Sequence, residues 1–191
     1  MKLICGTRGS KLALTQTEEA INAIIKKTGI EIEKKIIKTK GDQVLDLPLH
    51  QIGGKGLFIK EIDEALINNE IDFAIHSLKD YPTEILPELE ITGITKRRPP
   101  YDGLISQEES IEDLPEAAIV GTSSLRRKSE LSRTRPDLEI KDIRGNLDTR
   151  IRKLREGHYD AIVVAEAGFS RLYGSINEID GFKFSRIDPN Y

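Results

Sequence analysis

The sequence predicts an α/β protein of two lobes, each a mixed, mostly parallel sheet flanked by helices. Three observations predict it. Short apolar runs rich in β-branched residues alternate with stretches whose apolar residues recur at helical spacing. Several of these runs end in the same way, in a polar turn of Gly, Ser, Thr and Arg that leads into a helix; in such layers ligands sit at the carboxyl ends of the strands. Composition also changes abruptly at residues 95–101 (TKRRPPY), where a basic run and two prolines make a stiff segment suited to joining domains. Residues 1–97 and 98–191 are therefore assigned to separate domains that enclose a cleft.

In chain order, Leu3 to Gly6 reads as a buried strand, and the turn Thr-Arg-Gly-Ser opens a helix with Leu12, Ala20, Ile21, Ile24 and Ile25 on one side. Ile30 to Ile37 reads as a strand of imperfect alternation. Thr39 to Gly56 is rich in turn residues and reads as a long loop that ends at the Gly53-Gly54-Lys55-Gly56 cluster and acts as a lid. Phe58 to Asn68 fits an amphipathic helix, Phe73 to Ile75 a buried strand that ends in His76-Ser77-Leu78-Lys79-Asp80, and Leu89 to Ile94 a further strand. Beyond the crossing, strands are expected at 103–105, 119–120, 138–143 and 161–165, with helices at 124–133, 146–156 and 166–172. After Gly174 the pattern fades, and residues 182–191 form no obvious element.

A chain of 191 residues with 38% hydrophobic and 32% charged residues is long enough to bury a core and has the make-up of a soluble globular protein. No apolar run approaches the length that crosses a bilayer, and the stretch before Arg8 is too short for a secretory signal. The single cysteine, Cys5, allows no internal disulfide and no Cys-rich metal site; a reducing cytoplasm fits, and no cluster has the spacing of metal ligands. A net charge of -3 argues against a nucleic-acid binder. Charge is nevertheless uneven. From Gly121 to Arg155 there are eleven basic residues against five acidic ones, so the partner of this basic stretch is a small anion.

Arginine suits a carboxylate because its planar fork matches both oxygens. Arg8, Arg126, Arg127, Arg144, Arg150 and Arg171 all fall at or near strand-to-helix junctions. One arginine on a helix is ordinarily solvated or paired, and it is the repetition that points to a ligand. Ser10, Thr122, Ser123 and Ser124 stand where helices begin, as caps, as anion donors, or as both. Asp80 follows a buried strand and precedes Tyr81-Pro82, which aims its carboxylate into the cleft as a group able to stabilise a cation or handle a proton. An Asx turn before proline is the competing reading. His76 reads as a buried polar side chain, Lys55 and Lys79 as anion anchors or exposed lysines, and GGKG lacks the spacing of a Walker loop.

The strings TRGSKLAL, IGGKGLF, HSLKD, GTSSLRR and IRGNLDTR, in this order and spacing, resemble the porphobilinogen deaminase (hydroxymethylbilane synthase) family over nearly the whole chain. The resemblance implies two domains like those of type II periplasmic binding proteins, and a cytoplasmic transferase of tetrapyrrole and haem biosynthesis, monomeric, that joins porphobilinogen units with release of ammonia. It implies a catalytic role for Asp80, and substrate contacts from Arg8, Ser10, Arg144, Arg150 and Arg171. It implies contacts to a dipyrromethane cofactor from Lys79, Thr122, Ser124, Arg126 and Arg127, and an active-site loop that includes Lys55 and Phe58. The sequence departs from the family at Glu166, where a small or apolar residue is usual, and by lacking the glycine-rich return segment and the third domain with the cofactor-bearing cysteine. Cys5 does not match that cysteine and reads as a small buried hydrophobe. A truncated chain of this kind is expected neither to retain a covalent dipyrromethane nor to turn over alone. A non-catalytic module for a small polycarboxylate is the alternative.

Overall fold

Alternating apolar and helical stretches condense into strands and helices in a computed structural model that describes residues 2–43, 56–174 and 178–187, without the side chains of residues 42, 43 and 80. The chain divides into two compact units, Met1–Lys96 and Arg97–Tyr191.

In the first unit β1 (Lys2–Thr7) lies between β2 (Glu31–Ile36) and β3 (Phe73–Ala74) in a parallel sheet of order β2-β1-β3. Parallel neighbours need a crossover, and α1 (Lys11–Thr28) supplies the first. Ser10 caps α1 by accepting a hydrogen bond from the Ala13 amide at 3.3 Å, and Gly29 ends it in the left-handed region at φ 69°. The buried Thr17 hydroxyl meets that of Thr7 at 2.7 Å, which ties α1 to the end of β1. α2 (Lys40–Gln43) is a single turn inside the segment expected to be loop, and residues 44–55, including Lys55, lie outside the described residues. α3 (Lys60–Ile67) buries Ile62 and Ala65 with Ile71 against Ile4 and Ala74.

The expected strand from Leu89 to Ile94 does not form. Leu89 instead donates its amide to the Leu86 carbonyl in a local turn, and Ile94 is exposed. Among the described residues no strand lies beside that segment to take its backbone hydrogen bonds.

The second unit is a six-stranded sheet of order β6-β5-β7-β4-β9-β8. β5 (Ile119–Gly121), β6 (Glu139–Lys141) and β7 (Ala161–Ala165) are parallel, whereas β4 (Asp102–Ser106), β9 (Phe182–Arg186) and β8 (Glu178–Ile179) join antiparallel. The hairpin β8–β9 corrects the expectation of no element after residue 182. Asp180 and Gly181, at φ 53° and 82°, make the tight turn that an Asp-Gly pair favours, and Phe-Lys-Phe-Ser-Arg then alternates along β9.

Helices cover both faces of this sheet: α4 (Leu125–Thr134), α5 (Leu147–Arg155) and α6 (Glu166–Tyr173). Successive residues of β7 therefore face different cores. Ala161 and Val163 pack with Leu104, Val120 and Leu131, while Ile162 and Val164 pack with Ile105, Ile151, Leu154 and Phe169. A strand covered on both faces has to be apolar throughout, which is why 161–165 reads as a continuous run.

Gly103 lies directly under the Phe184 ring, and a Cβ there would come within 2.2 Å of it. Gly103→Ala should therefore destabilise the protein by about 1–3 kcal/mol in urea unfolding, whereas Gly93→Ala, which has open space around it, should change stability by less than about 0.5 kcal/mol.

Candidate functional site

Strand direction decides what meets at one edge of the six-stranded sheet. The carboxyl ends of β5, β6 and β7 point the same way and deliver Thr122 to Ser124, Asp142 to Asn146, and Glu166. β4 runs the other way, so its first residue, Asp102, pairs with Ala165 at that same edge, and Arg186 at the end of β9 lies beside Gly103.

The turns are fixed by short side chains. Ser123 straps the neighbouring strand ends: its hydroxyl donates to the Ile143 carbonyl at 2.8 Å and accepts from the Ile143 amide at 3.1 Å. Thr122 is buried, and its hydroxyl oxygen accepts from the Ser124 amide at 3.3 Å. Ser124 occupies the N-cap position of α4 without a side-chain capping bond, so its hydroxyl is not used to close the helix. Asn146 does cap α5, accepting from the Thr149 amide at 2.9 Å. Gly145 precedes it at φ 108°, where a Cβ would lie 2.6 Å from the Thr149 side chain.

Onto this frame the chain places guanidinium groups. Arg127 reaches the Val163 carbonyl at 3.2 Å and Asp102 at 2.7 Å. Arg126 meets the other Asp102 oxygen at 2.6 Å and Glu130 at 2.8 Å. Arg150 is half-buried and donates from Nε to the Gly145 carbonyl at 2.9 Å. Burial, and then the charges of Arg127 and Arg144, lower the proton affinity of Arg150. Among the described residues, buried Arg127 Nε and Arg144 Nη1 have no hydrogen-bond acceptor. Burial opposes ionisation of Asp102, but hydrogen bonds from Arg127 and Arg126 outweigh it and hold the carboxyl below its ordinary value. Three guanidiniums are thus held close with donors to spare, an arrangement suited to carboxylate groups.

Arg171 lies on α6 and donates to the Ala167 carbonyl at 3.3 Å. At the start of that helix Glu166 is held by Arg186 through two bonds of 2.8 Å, and the Arg186 guanidinium lies 4.2 Å over the Tyr101 ring. A carboxylate at this position is accommodated because β9 brings a cation to it.

In the first unit the Arg8 guanidinium lies 4.2 Å over the Phe58 ring. The same ring packs so closely on Gly41 that a Cβ there would clash at 2.3 Å. Lys79 is exposed on the 3-10 turn Leu78–Asp80, which Asp80 closes; the Asp80 side chain, and so its expected aim, lies outside the described residues. Ser77 anchors the segment before that turn by donating to Gln16 of α1 at 2.8 Å. Tyr81, just after it, points its hydroxyl at Asp63, 3.5 Å away, and burial raises the Asp63 carboxyl. These two residues line a pocket of about 340 Å³ with Lys60, Pro82, Glu84 and Leu86.

Asp102 and the Asp63–Tyr81 pair were not singled out from sequence, and Ser123, expected as a cap or an anion donor, instead spends its hydroxyl on the Ile143 backbone. The Asp-Gly step before an apolar strand marks Asp102 as a strand start, but only the antiparallel pairing brings it to the arginines.

Residues 3–187 match the family model described as porphobilinogen deaminase, dipyromethane cofactor binding domain. The chain belongs to the porphobilinogen deaminase family. It is 54% identical over 173 residues to the porphobilinogen deaminase of a Nitratiruptor species, covering 90% of this chain and 56% of that protein. To the enzyme of Shouchella clausii it is 52% identical over 177 residues, covering 91% and 57%. To the probable porphobilinogen deaminase of Archaeoglobus fulgidus it is 51% identical over 173 residues, covering 90% and 59%. The chain thus spans a little over half the length of these porphobilinogen deaminases.

Among solved structures, it resembles the second substrate-binding domain of a putative amino acid ABC transporter from Streptococcus pneumoniae, with TM-score 0.53 at 17% identity, covering 98% of this chain and 81% of that one. The second substrate-binding domain of Lactococcus lactis GlnP gives 0.52 at 14% identity, covering 97% and 75%. These likenesses show the fold class expected from sequence, that of the two-lobed α/β binding proteins.

The residues present fit the group for which the family model is named. A dipyrromethane bearing acetate and propionate arms presents carboxylates, and the acceptorless Arg127 Nε and Arg144 Nη1 are donors that carboxylates satisfy.

Arg150→Met keeps the long stem and removes the charge that Arg127 and Arg144 repel. It should raise the stability of the ligand-free protein by on the order of 1 kcal/mol in urea unfolding; an unchanged or lowered midpoint would mean that the cluster stores no strain.

Proposed function

We propose that this chain provides the cofactor-holding and substrate-holding part of a porphobilinogen deaminase, a monomeric cytoplasmic transferase that joins four porphobilinogen molecules head to tail and releases ammonia to form hydroxymethylbilane. The observation that carries the reading is the group of Arg127, Arg144 and Arg150 at a single sheet edge, with donors lacking acceptors among the described residues. A substrate bearing an acetate and a propionate arm, added repeatedly, needs several carboxylate-holding forks in one place.

In this reading Thr122, Ser124, Arg126 and Arg127, with Lys79, hold the dipyrromethane carboxylates. The cofactor, when bound, supplies the pyrrole carbon from which the product chain grows. Arg8, Ser10, Arg144, Arg150 and Arg171 hold the arms of the incoming porphobilinogen, while Phe58 orients Arg8. Asp80 accepts hydrogen bonds from pyrrole N–H groups and stabilises the cation left on porphobilinogen when its amine departs as ammonia.

Cys5 is an unsuitable attachment point. It is wholly buried on β1, and burial pushes its thiol up to about 12, far from the thiolate that would bond a pyrrole.

The test is a chimera in which residues 1–191 replace the matching part of the Nitratiruptor relative. Loaded with cofactor, it should release ammonia from porphobilinogen. Asp80→Asn should slow that release by about a hundredfold or more and leave binding of the substrate's carboxylates intact. A folded chimera that releases no ammonia would sink the reading, and an Asp80→Asn form with full turnover would remove Asp80 from the chemistry.

A further inference from the structure

Asp102 stands out because it places a carboxylate among groups that an anionic ligand would be expected to use. Its backbone is fixed on both sides: it pairs with Ala165 of β7, and its carbonyl accepts the Ile187 amide at 2.9 Å. Its side chain is 13% exposed and is bridged by Arg127 Nη2 at 2.7 Å and Arg126 Nη2 at 2.6 Å. The two arginines are held very differently. Arg127 is 14% exposed and fixed at two points, Asp102 and the Val163 carbonyl, which leaves buried Nε as the donor without an acceptor among the described residues. Arg126 is 60% exposed, and its two Nη groups are shared between Asp102 and Glu130 on the surface of α4.

We propose that Asp102 is a positioning residue of the anion site, which fixes Arg127 as a rigid jaw with Nε left to donate and parks Arg126 as a movable second jaw. The proposal rests on the carboxylate-binding reading of this edge. Rigid presentation matters because a long side chain otherwise loses rotamer freedom when it takes up a ligand, and a preorganised fork avoids that loss. Arg126 reaches a ligand by exchanging one exposed carboxylate partner for another, whereas Arg127 keeps Asp102 throughout.

Charge alone predicts the opposite effect. If the site worked by net positive potential, removing a carboxylate would tighten the binding of anions. Positioning predicts that Asp102→Asn weakens it, because Arg127 is left to reorient. The two accounts therefore differ in sign.

The experiment measures calorimetric binding of tricarballylate to the protein and to its Asp102→Asn and Asp102→Glu forms, together with the side-chain guanidinium NMR signals of Arg127 without ligand. We expect about tenfold weaker binding in Asp102→Asn and partial recovery in Asp102→Glu. In the wild type, rotation of the Arg127 guanidinium should be slow and its Nη protons resolved; in Asp102→Asn they should average. Equal or tighter binding by Asp102→Asn overturns the proposal, as does an Arg127 signal already averaged in the wild type or unchanged by the substitution. Failure of the wild type to bind tricarballylate would sink the carboxylate reading of the site, and the Arg127 signals, which need no ligand, would still decide whether Asp102 positions that arginine.

Discussion

Like charges gathered in a half-buried place are the constraint on which the second unit turns. Arg127, Arg144 and Arg150 lie close enough for two of them to depress the proton affinity of the third, which burial already lowers. Such a cluster opposes folding unless something offsets it. Here the offset is partial and built from the backbone. The Val163 and Gly145 carbonyls accept from Arg127 and Arg150, and Asp102 neutralises part of the charge. Two buried nitrogens are still left without an acceptor among the described residues. In the proposed reading a ligand carboxylate completes the set.

The sheet makes this possible by holding the charges apart from the core. Both faces of β7 are apolar and covered, so the polar groups are confined to the edge where strands give way to turns. Ser123, Asn146 and Gly145 then fix those turns with hydrogen bonds to backbone or with a conformation that other residues resist. Arginines carried on such turns and first helical residues inherit their rigidity. The first unit uses the same device on a smaller scale, with Thr7 tied to Thr17, Ser10 capping α1 and Arg8 laid over Phe58.

Much of this was legible because its determinants are local. A strand, a Gly-Thr-Ser-Ser turn and a helix bearing Arg126 and Arg127 lie within a dozen residues, and the same holds for Arg144 to Arg150. The fold class follows from repeating that unit. What was not legible depends on pairing between distant strands. Asp102 carries no local mark of its role, since it meets the arginines only because β4 runs against β7. Glu166 stands where a small or apolar residue is usual in the family, yet Arg186 comes to it from a strand that the fading pattern after Gly174 hid. The expected strand at 89–94 failed for the complementary reason: β-branched residues give a segment the propensity to extend, but a strand needs a neighbour.

The central claim is that the arginine edge is shaped for carboxylates brought from outside the chain. The most direct measurement is a crystal structure of the protein grown with a dipyrromethane that carries acetate and propionate arms together with porphobilinogen, which carries the same arms. The account predicts a ligand carboxylate within hydrogen-bond distance of Arg127 Nε and Arg144 Nη1, with Asp102 still on Arg127. Finding both nitrogens saturated by carboxylates of the protein itself, and the ligand elsewhere, would contradict it.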